Sequence, residues 1–207
     1  MVSIITGDII NSRKNIHPND WLNTLKAALS RYGKEPLKWE IYRGDSFQLE
    51  ITEPEKALLA AIYIKACIKT FKNIDVRMAI GVGNKDFVSE KITEANGEAF
   101  VFSGEKFETL KKEKQTLAIQ TDNQELNQAL NIYLKLALIA MDNWSTASAE
   151  FVKTMIENEK LSQQEIGEIL GISQSSVSER YSRAYFSEIL DLNSQYIYLI
   201  NKLIHKK

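Results

Sequence analysis

Between Leu37 and Thr52 the chain reads LKWEIYRGDSFQLEIT, two segments that alternate apolar and polar residues about Gly44-Asp45. Alternation with period two marks a half-buried strand, and a Gly-Asp pair between two such segments closes a tight hairpin. A hairpin holds two strands side by side and antiparallel, so the flanking segments must be arranged around that fixed unit.

Before the hairpin lie a β-branched apolar run, VSIITGDII, and a segment with helical spacing through Trp21, Leu25 and Leu29 that ends by Gly33. After it comes TEPEKALLAAIYIKACIKTF, a helix with Thr52 and Glu55 in capping-box positions and Pro54 in its first turn. A strand, DVRMAIGVG, follows, and the glycines of GVGNKD read as a turn. GEAFVFSGEKFETLKKEK predicts a helix, TLAIQT a short strand, and NQELNQALNIYLKLALIAMDNW a long helix over the sheet. The first six elements, β-α-β-β-α-β, form the split arrangement of a ferredoxin-like α+β sheet. A right-handed crossover then sets the first strand beside the hairpin in mid-sheet. That brings the end of IITGD near the tip of RGDS.

Composition shifts at DNWSTASAE, and from Ala147 the pattern is helical only. The expected division is an α+β domain over residues 1–145 and an all-α module over 147–207. The 207 residues, 44% hydrophobic and 26% charged, are those of a globular chain, and a net charge of -1 gives no global attraction to nucleic acid or membrane. One cysteine, Cys67, and two distant histidines, His17 and His205, argue against a disulfide or a His/Cys zinc site. The most apolar stretches, ALLAAIYIKACI and YLKLALIAM, are too short to span a bilayer, and MVSIITGDII lacks the basic flank of a signal peptide. The expected location is cytoplasmic.

Asp8 and Asp45 stand where the first strand and the hairpin tip converge. Phosphoryl and nucleotidyl transfer use divalent metal to neutralise phosphate charge, and magnesium takes one or two carboxylates with waters and phosphate oxygens. Arg13 and Lys14 after the first strand, and Arg43 before the turn, are placed to neutralise a triphosphate. Asn11, Ser12 and Gly44 complete the candidate nucleotide-binding set.

GDIINS, YRGDSFQLE and VRMAIGVG, in this order over about residues 1–120, resemble the motifs of class III nucleotide cyclases and of the palm-like core they share with polymerases and diguanylate cyclases. The resemblance implies metal roles for Asp8, Asp45 and the backbone carbonyl of Ile9, with Mg2+ as the cofactor. It departs on the helix after the fourth strand. Where catalytic cyclases carry an Asn–Arg pair, this chain has Ser103, Glu105, Lys106, Thr109 and Lys111. With ANGEAFVFSGEKFETLK and its helical C-terminus, the whole chain more closely resembles the bacterial SatD family.

LSQQEIGEILGISQSSVSERYSRAY carries a helix-turn-helix signature. Ser162 and Glu165 form a capping box, Gly167 sits at a close crossing, and Gly171 lies at the turn. Ile166, Leu170, Ile172 and Val177 have the spacing that packs two helices, and Ser173 caps the second. The signature is similar to that of sigma-factor region four. That docking geometry offers Gln174, Ser175, Ser176, Ser178 and Glu179 to bases or phosphates, and Arg180 and Arg183 to phosphates, with Tyr181 either joining them or packing inward. Residues 147–207 hold seven Lys/Arg and eight Asp/Glu, so the module needs dimerisation to bind DNA well. Ile189, Leu192, Tyr196, Leu199 and Leu203 are spaced for a helix-helix seam, either inside the chain or in a homodimer.

The expectation is a DNA-binding regulator with a metal-nucleotide-binding, palm/cyclase-like sensor domain. The alternatives are an active nucleotide cyclase or nucleotidyltransferase, and a catalytically inactive protein-interaction scaffold.

Overall fold

The computed structural model describes residues 1–12 and 18–205. Five strands, β1 (Val2–Ile10), β2 (Trp39–Tyr42), β3 (Ser46–Ile51), β4 (Asp75–Gly83) and β5 (Leu117–Gln120), make one mixed sheet in the order β2-β3-β1-β4-β5. All neighbours are antiparallel except the β4–β5 pair. Strand β1 therefore lies in mid-sheet between β3 and β4, as the split β-α-β reading requires. Its near-continuous apolar run follows from being covered on both faces, which removes the need for a polar alternate.

Helices α1 (Pro18–Ser30), α2 (Ala57–Lys69) and α3 (Glu98–Glu113) connect or flank these strands. On one face Ile5, Leu49 and Ile80, which are register partners, join the core formed with α1 and α2. On the other, α3 lies so close to β4 that a Cβ on Gly81 would sit 2.1 Å from the Ala99 carbonyl oxygen. Gly81 and Gly83 are thus inside β4 and permit helix approach, where the sequence suggested a turn. The capping expectation before α2 also changes. Pro54–Lys56 form a single 3-10 turn, no side chain caps either start, and Thr52 Oγ1 accepts from Lys38 Nζ at 3.1 Å.

Helix α4 (Gln124–Met141) runs along the β5 edge, where the sequence suggested a helix over the sheet. Two asparagines explain its seat. Asn131 donates to the Ile119 carbonyl at 2.8 Å and accepts from the Ile119 amide at 2.9 Å, and Asn127 makes the same pair of bonds to Thr121. Each amide group mimics a rung of a neighbouring strand, so backbone groups at the edge are satisfied by side chains.

Four more helices follow: α5 (Thr146–Glu157), α6 (Gln163–Leu170), α7 (Gln174–Arg183) and α8 (Phe186–Ile204). They share the sheet's main core. Phe151, Val152, Phe186, Tyr196 and Ile200 belong to the same buried cluster as Ile5, Leu58 and Ile64. Helix α2 is buried nearly all round because the sheet lies on one side of it and α5 and α8 on the other. Tyr196 Oη donates to the Pro54 carbonyl at 2.8 Å, tying α8 to the start of α2. The stripe expected on α8 is mainly internal: Ile189, Tyr196 and Leu203 are buried, and Leu192 and Leu199 partly so. No described helix is long and apolar enough to cross a membrane.

Candidate functional site

The hairpin tip is a three-residue loop, Arg43-Gly44-Asp45, one residue longer than the sequence suggested, because Tyr42 pairs with Ser46. Arg43 and Gly44 both take positive φ, 54° and 87°. The loop folds against the end of β1. The Ile9 amide donates to the Asp45 carbonyl at 3.0 Å, and Ser12 Oγ donates to Asp45 Oδ2 at 2.6 Å. The expected meeting of β1 with the hairpin tip therefore holds, and it brings Asp45 and Ser12 into contact.

Asp8 has a different partner. In the β1 register it faces Ser46 on one side and Arg77 on the other. The Arg77 guanidinium takes both carboxylate oxygens, Nε to Oδ1 at 3.1 Å and Nη2 to Oδ2 at 2.5 Å. The pair is 19% and 23% exposed, and Arg77 also lies over the Phe107 ring of α3, 5.6 Å from its centroid. This two-point geometry neutralises Asp8 within the chain. Beside it, burial raises the Tyr42 hydroxyl pKa, Arg43 pulls it down, and Asp8 and Glu108 add to the rise.

Around this end the other candidates are dispersed. Asn11, at φ 62°, donates to the Asn73 carbonyl at 3.2 Å, and Arg43 and Gly44 are exposed. The Ile9 side chain is core. Arg13 and Lys14 lie outside the described residues. On α3, Ser103 is buried and hydrogen-bonded to Thr6 at 3.0 Å, and Lys106 pairs with Glu113 at 2.9 Å. Among the described residues no group of three His, Cys, Asp or Glu side chains is arranged to hold a metal. Asp45 suits a magnesium ion as a single carboxylate, whereas Asp8 does so only if it gives up Arg77.

Two ionic clusters went unanticipated. Glu50, 3% exposed on β3, lies between Lys38 at 2.5 Å and Lys85 at 2.6 Å. Lys65, wholly buried in α2, meets Asp75 and Asp142, each at 2.7 Å. Lys69 binds the other Asp75 oxygen at 3.1 Å and the Asp142 carbonyl at 2.8 Å. Because Asp142 ends α4, this network joins α2, β4 and the α4–α5 junction. A lysine among apolar residues in ALLAAIYIKACIK was its only trace in the sequence.

The second candidate surface is the α6–α7 pair. Ser162 and Glu165 make the full capping box, and Ser173 Oγ accepts from the Ser176 amide. Gly171 ends α6 at φ 64°, a left-handed position that costs glycine least. A Cβ on Gly167 would stand 2.9 Å from the Ile172 carbonyl oxygen, so this glycine lets the turn close on α6. Ile166 and Val177 are fully buried between the helices.

Gln174, Ser175, Ser178, Glu179 and Arg183 are exposed on α7, and Ser176 is partly covered. Arg180 reaches back to Glu150 of α5 at 3.0 Å, and Arg183 pairs with Glu179 at 2.6 Å. Tyr181 packs inward, edge-on to Phe151 and Phe186 with centroids 6.1 and 5.7 Å away. Trp144 at the α4–α5 junction donates to the Ala184 carbonyl at the end of α7, 3.0 Å away.

A five-stranded mixed sheet joined through one core to four C-terminal helices defines the class, an α+β chain with a helical extension. The chain belongs to the SatD family, whose model matches residues 2–192. Comparison with curated proteins and with solved structures gave no match.

Proposed function

We propose that this chain is a cytoplasmic DNA-binding regulator in which α6 and α7 form a helix-turn-helix and α7 is the recognition helix. The observation that carries this is the exposed polar face of α7, with Gln174, Ser175 and Ser178 outward, on a pair closed by Gly167, Gly171 and Val177. A helix with that face can enter a major groove, where glutamine reads adenine and serine takes base or phosphate. Arg183 sits at the exposed end of α7 for a phosphate, while Arg180 positions α7 on α5.

Selection of bound duplexes from a random pool, followed by fluorescence anisotropy over a salt series, tests the reading. A selected sequence should bind, and Gln174→Ala should weaken it by roughly 1–3 kcal/mol with loss of discrimination at one position. Failure of the wild type to retain any duplex at low salt would sink the idea.

Residues 1–145 are, in this reading, a palm/cyclase-like sensor domain for a nucleotide. Its support is the Ser12–Asp45 contact where β1 meets the hairpin, with Asp8 next in the chain to the Ile9 amide that donates to the Asp45 carbonyl. The Arg77 clamp restricts the metal part: Asp45 is the available carboxylate, and Arg77 competes with magnesium for Asp8. Isothermal titration of ATP and GTP with Mg2+ decides it. Binding should disappear in Asp45→Ala and strengthen several-fold in Arg77→Gln. Equal binding by Asp45→Ala and wild type, or no binding by either, removes the nucleotide from the proposal.

A further inference from the structure

The inner side of α4 is fully used, with Asn127 and Asn131 on the β5 edge and Leu130, Leu134 and Leu138 in the core. Its outer side is also apolar. Ile132, Tyr133, Leu136 and Ile139 are 50%, 40%, 64% and 68% exposed, and they recur at helical spacing along one ridge. Beside the ridge, between α4 and the start of α8, runs a groove of about 780 Å³ whose floor includes Ala137, Ala140, Ile189 and Leu192. Tyr185, 55% exposed, closes one end.

These features identify the occupant. Ridge and groove lie on the same patch, with Tyr133, Leu136 and Ile139 forming one wall of the groove, so a twofold axis through it can set the ridge of each copy against the groove of the other, the arrangement an isologous contact requires. The rim carries both signs of charge: Arg183 at the end of α7, Glu188 and Asp191 on α8. Among the described residues neither Glu188 nor Asp191 has an ion-pair partner, and Arg183 is held by the exposed Glu179, so a second copy presenting the same rim can exchange that surface pair for one across the contact. The exposed ridge side chains and Tyr185 offer on the order of 500 Å² of largely apolar surface, the upper range for a monomer's largest patch and more than half of the ~800 Å² each partner buries in a standard interface. The polar rim supplies much of the remainder.

We propose that the α4–α8 face is the contact between two copies of this chain. The α8 seam suggested by the sequence lies in the core, and the surface that takes its place is on α4. For DNA the dimer has a further effect, which rests on the helix-turn-helix reading above. Because Arg183 and Tyr185 border the groove, the twofold axis passes near the ends of both α7 helices. It presents two exposed polar faces of α7 to one duplex, which compensates for the weak binding of a near-neutral module, with Arg183 serving the contact between copies in place of a phosphate.

Sedimentation velocity on the full chain tests the contact without DNA. The wild type should sediment at twice its 23.6 kDa mass, and Leu136→Glu should weaken self-association by more than about tenfold with an unchanged circular dichroism spectrum. Glu188→Lys should weaken it less, and combining that change with Arg183→Glu should restore it. Leu136→Cys should cross-link two copies on mild oxidation, whereas Ile169→Cys on the exposed face of α6 should not. The native Cys67 does not interfere, because burial pushes its thiol up to about 11 against a smaller lowering by Tyr63. A wild type that remains monomeric at every soluble concentration overturns the proposal, as does a dimer indifferent to Leu136→Glu. A dimer without DNA binding would leave this contact standing and remove only the recognition helix.

Discussion

Glu50 is a charged side chain held at a buried position by two others. Burial pushes its carboxyl up, and hydrogen bonds and charge from Lys38 and Lys85 outweigh that, leaving its pKa below the ordinary 4.5. A depressed folded value means the cluster stabilises fully above the unfolded pKa and loses that contribution as pH falls through the folded one. Urea titrations across pH should therefore show the wild type losing stability below about pH 4. Glu50→Gln, less stable at neutral pH because it leaves two lysines without their carboxylate, should show a flatter acid limb. If both acid limbs have equal slope, Glu50 is not the group responsible. The Asp8–Arg77 pair shows where the sequence stops informing. Asp8 stood out as an acid in an apolar run, but its partner lies 69 residues away and is assigned only by the β1–β4 register. Arg77 is present in VRMAIGVG, but only the antiparallel register of β1 and β4 sets it opposite Asp8.

Helix α3 can reach the sheet only because β4 presents glycine beneath it. In Gly81→Ala the new carbon would meet the Ala99 carbonyl oxygen and the Ser103 amide nitrogen, at 2.1 and 2.4 Å, and both are backbone. Helix α3 must then move as a body, and the expected loss in denaturant titration is at least about 2 kcal/mol. Gly104, within α3, has open space where a Cβ would go, so Gly104→Ala should stabilise by roughly 0.5–1 kcal/mol. Equal and small effects at the two positions would contradict this packing. Element identity was readable wherever period and punctuation agreed, as in β1, β4 and the Ser162–Glu165 cap. It failed where a side chain found a distant partner: Thr52 turns to Lys38 instead of capping, and Asn127 and Asn131 bind strand edges. Hydrophobic spacing gives α8 an apolar stripe but leaves open whether it faces inward or a second copy, because that depends on what packs there.

The division near residue 145 is clear in composition, and yet the core crosses it. Helix α2 is covered by α5 and α8, and the Lys65–Asp75–Asp142 network and the Trp144–Ala184 hydrogen bond bind the junction on both sides. Calorimetry should accordingly show one cooperative transition, and a fragment ending at residue 145 should be far less stable and bind a hydrophobic dye. Two resolved transitions would show that the halves fold separately.

The asparagine-sealed edge of β5 also bears on how these chains behave when crowded. A sheet recruits more sheet only through an open row of backbone groups, and at β5 α4 fills rungs of that row with its own side chains. The opposite edge, β2, is four residues long, and the Pro36 carbonyl beside it accepts from the Ile92 amide. Growth at β5 has to begin by peeling α4 away, so the resistance of that edge to templated misassembly rests on the grip of two amide side chains.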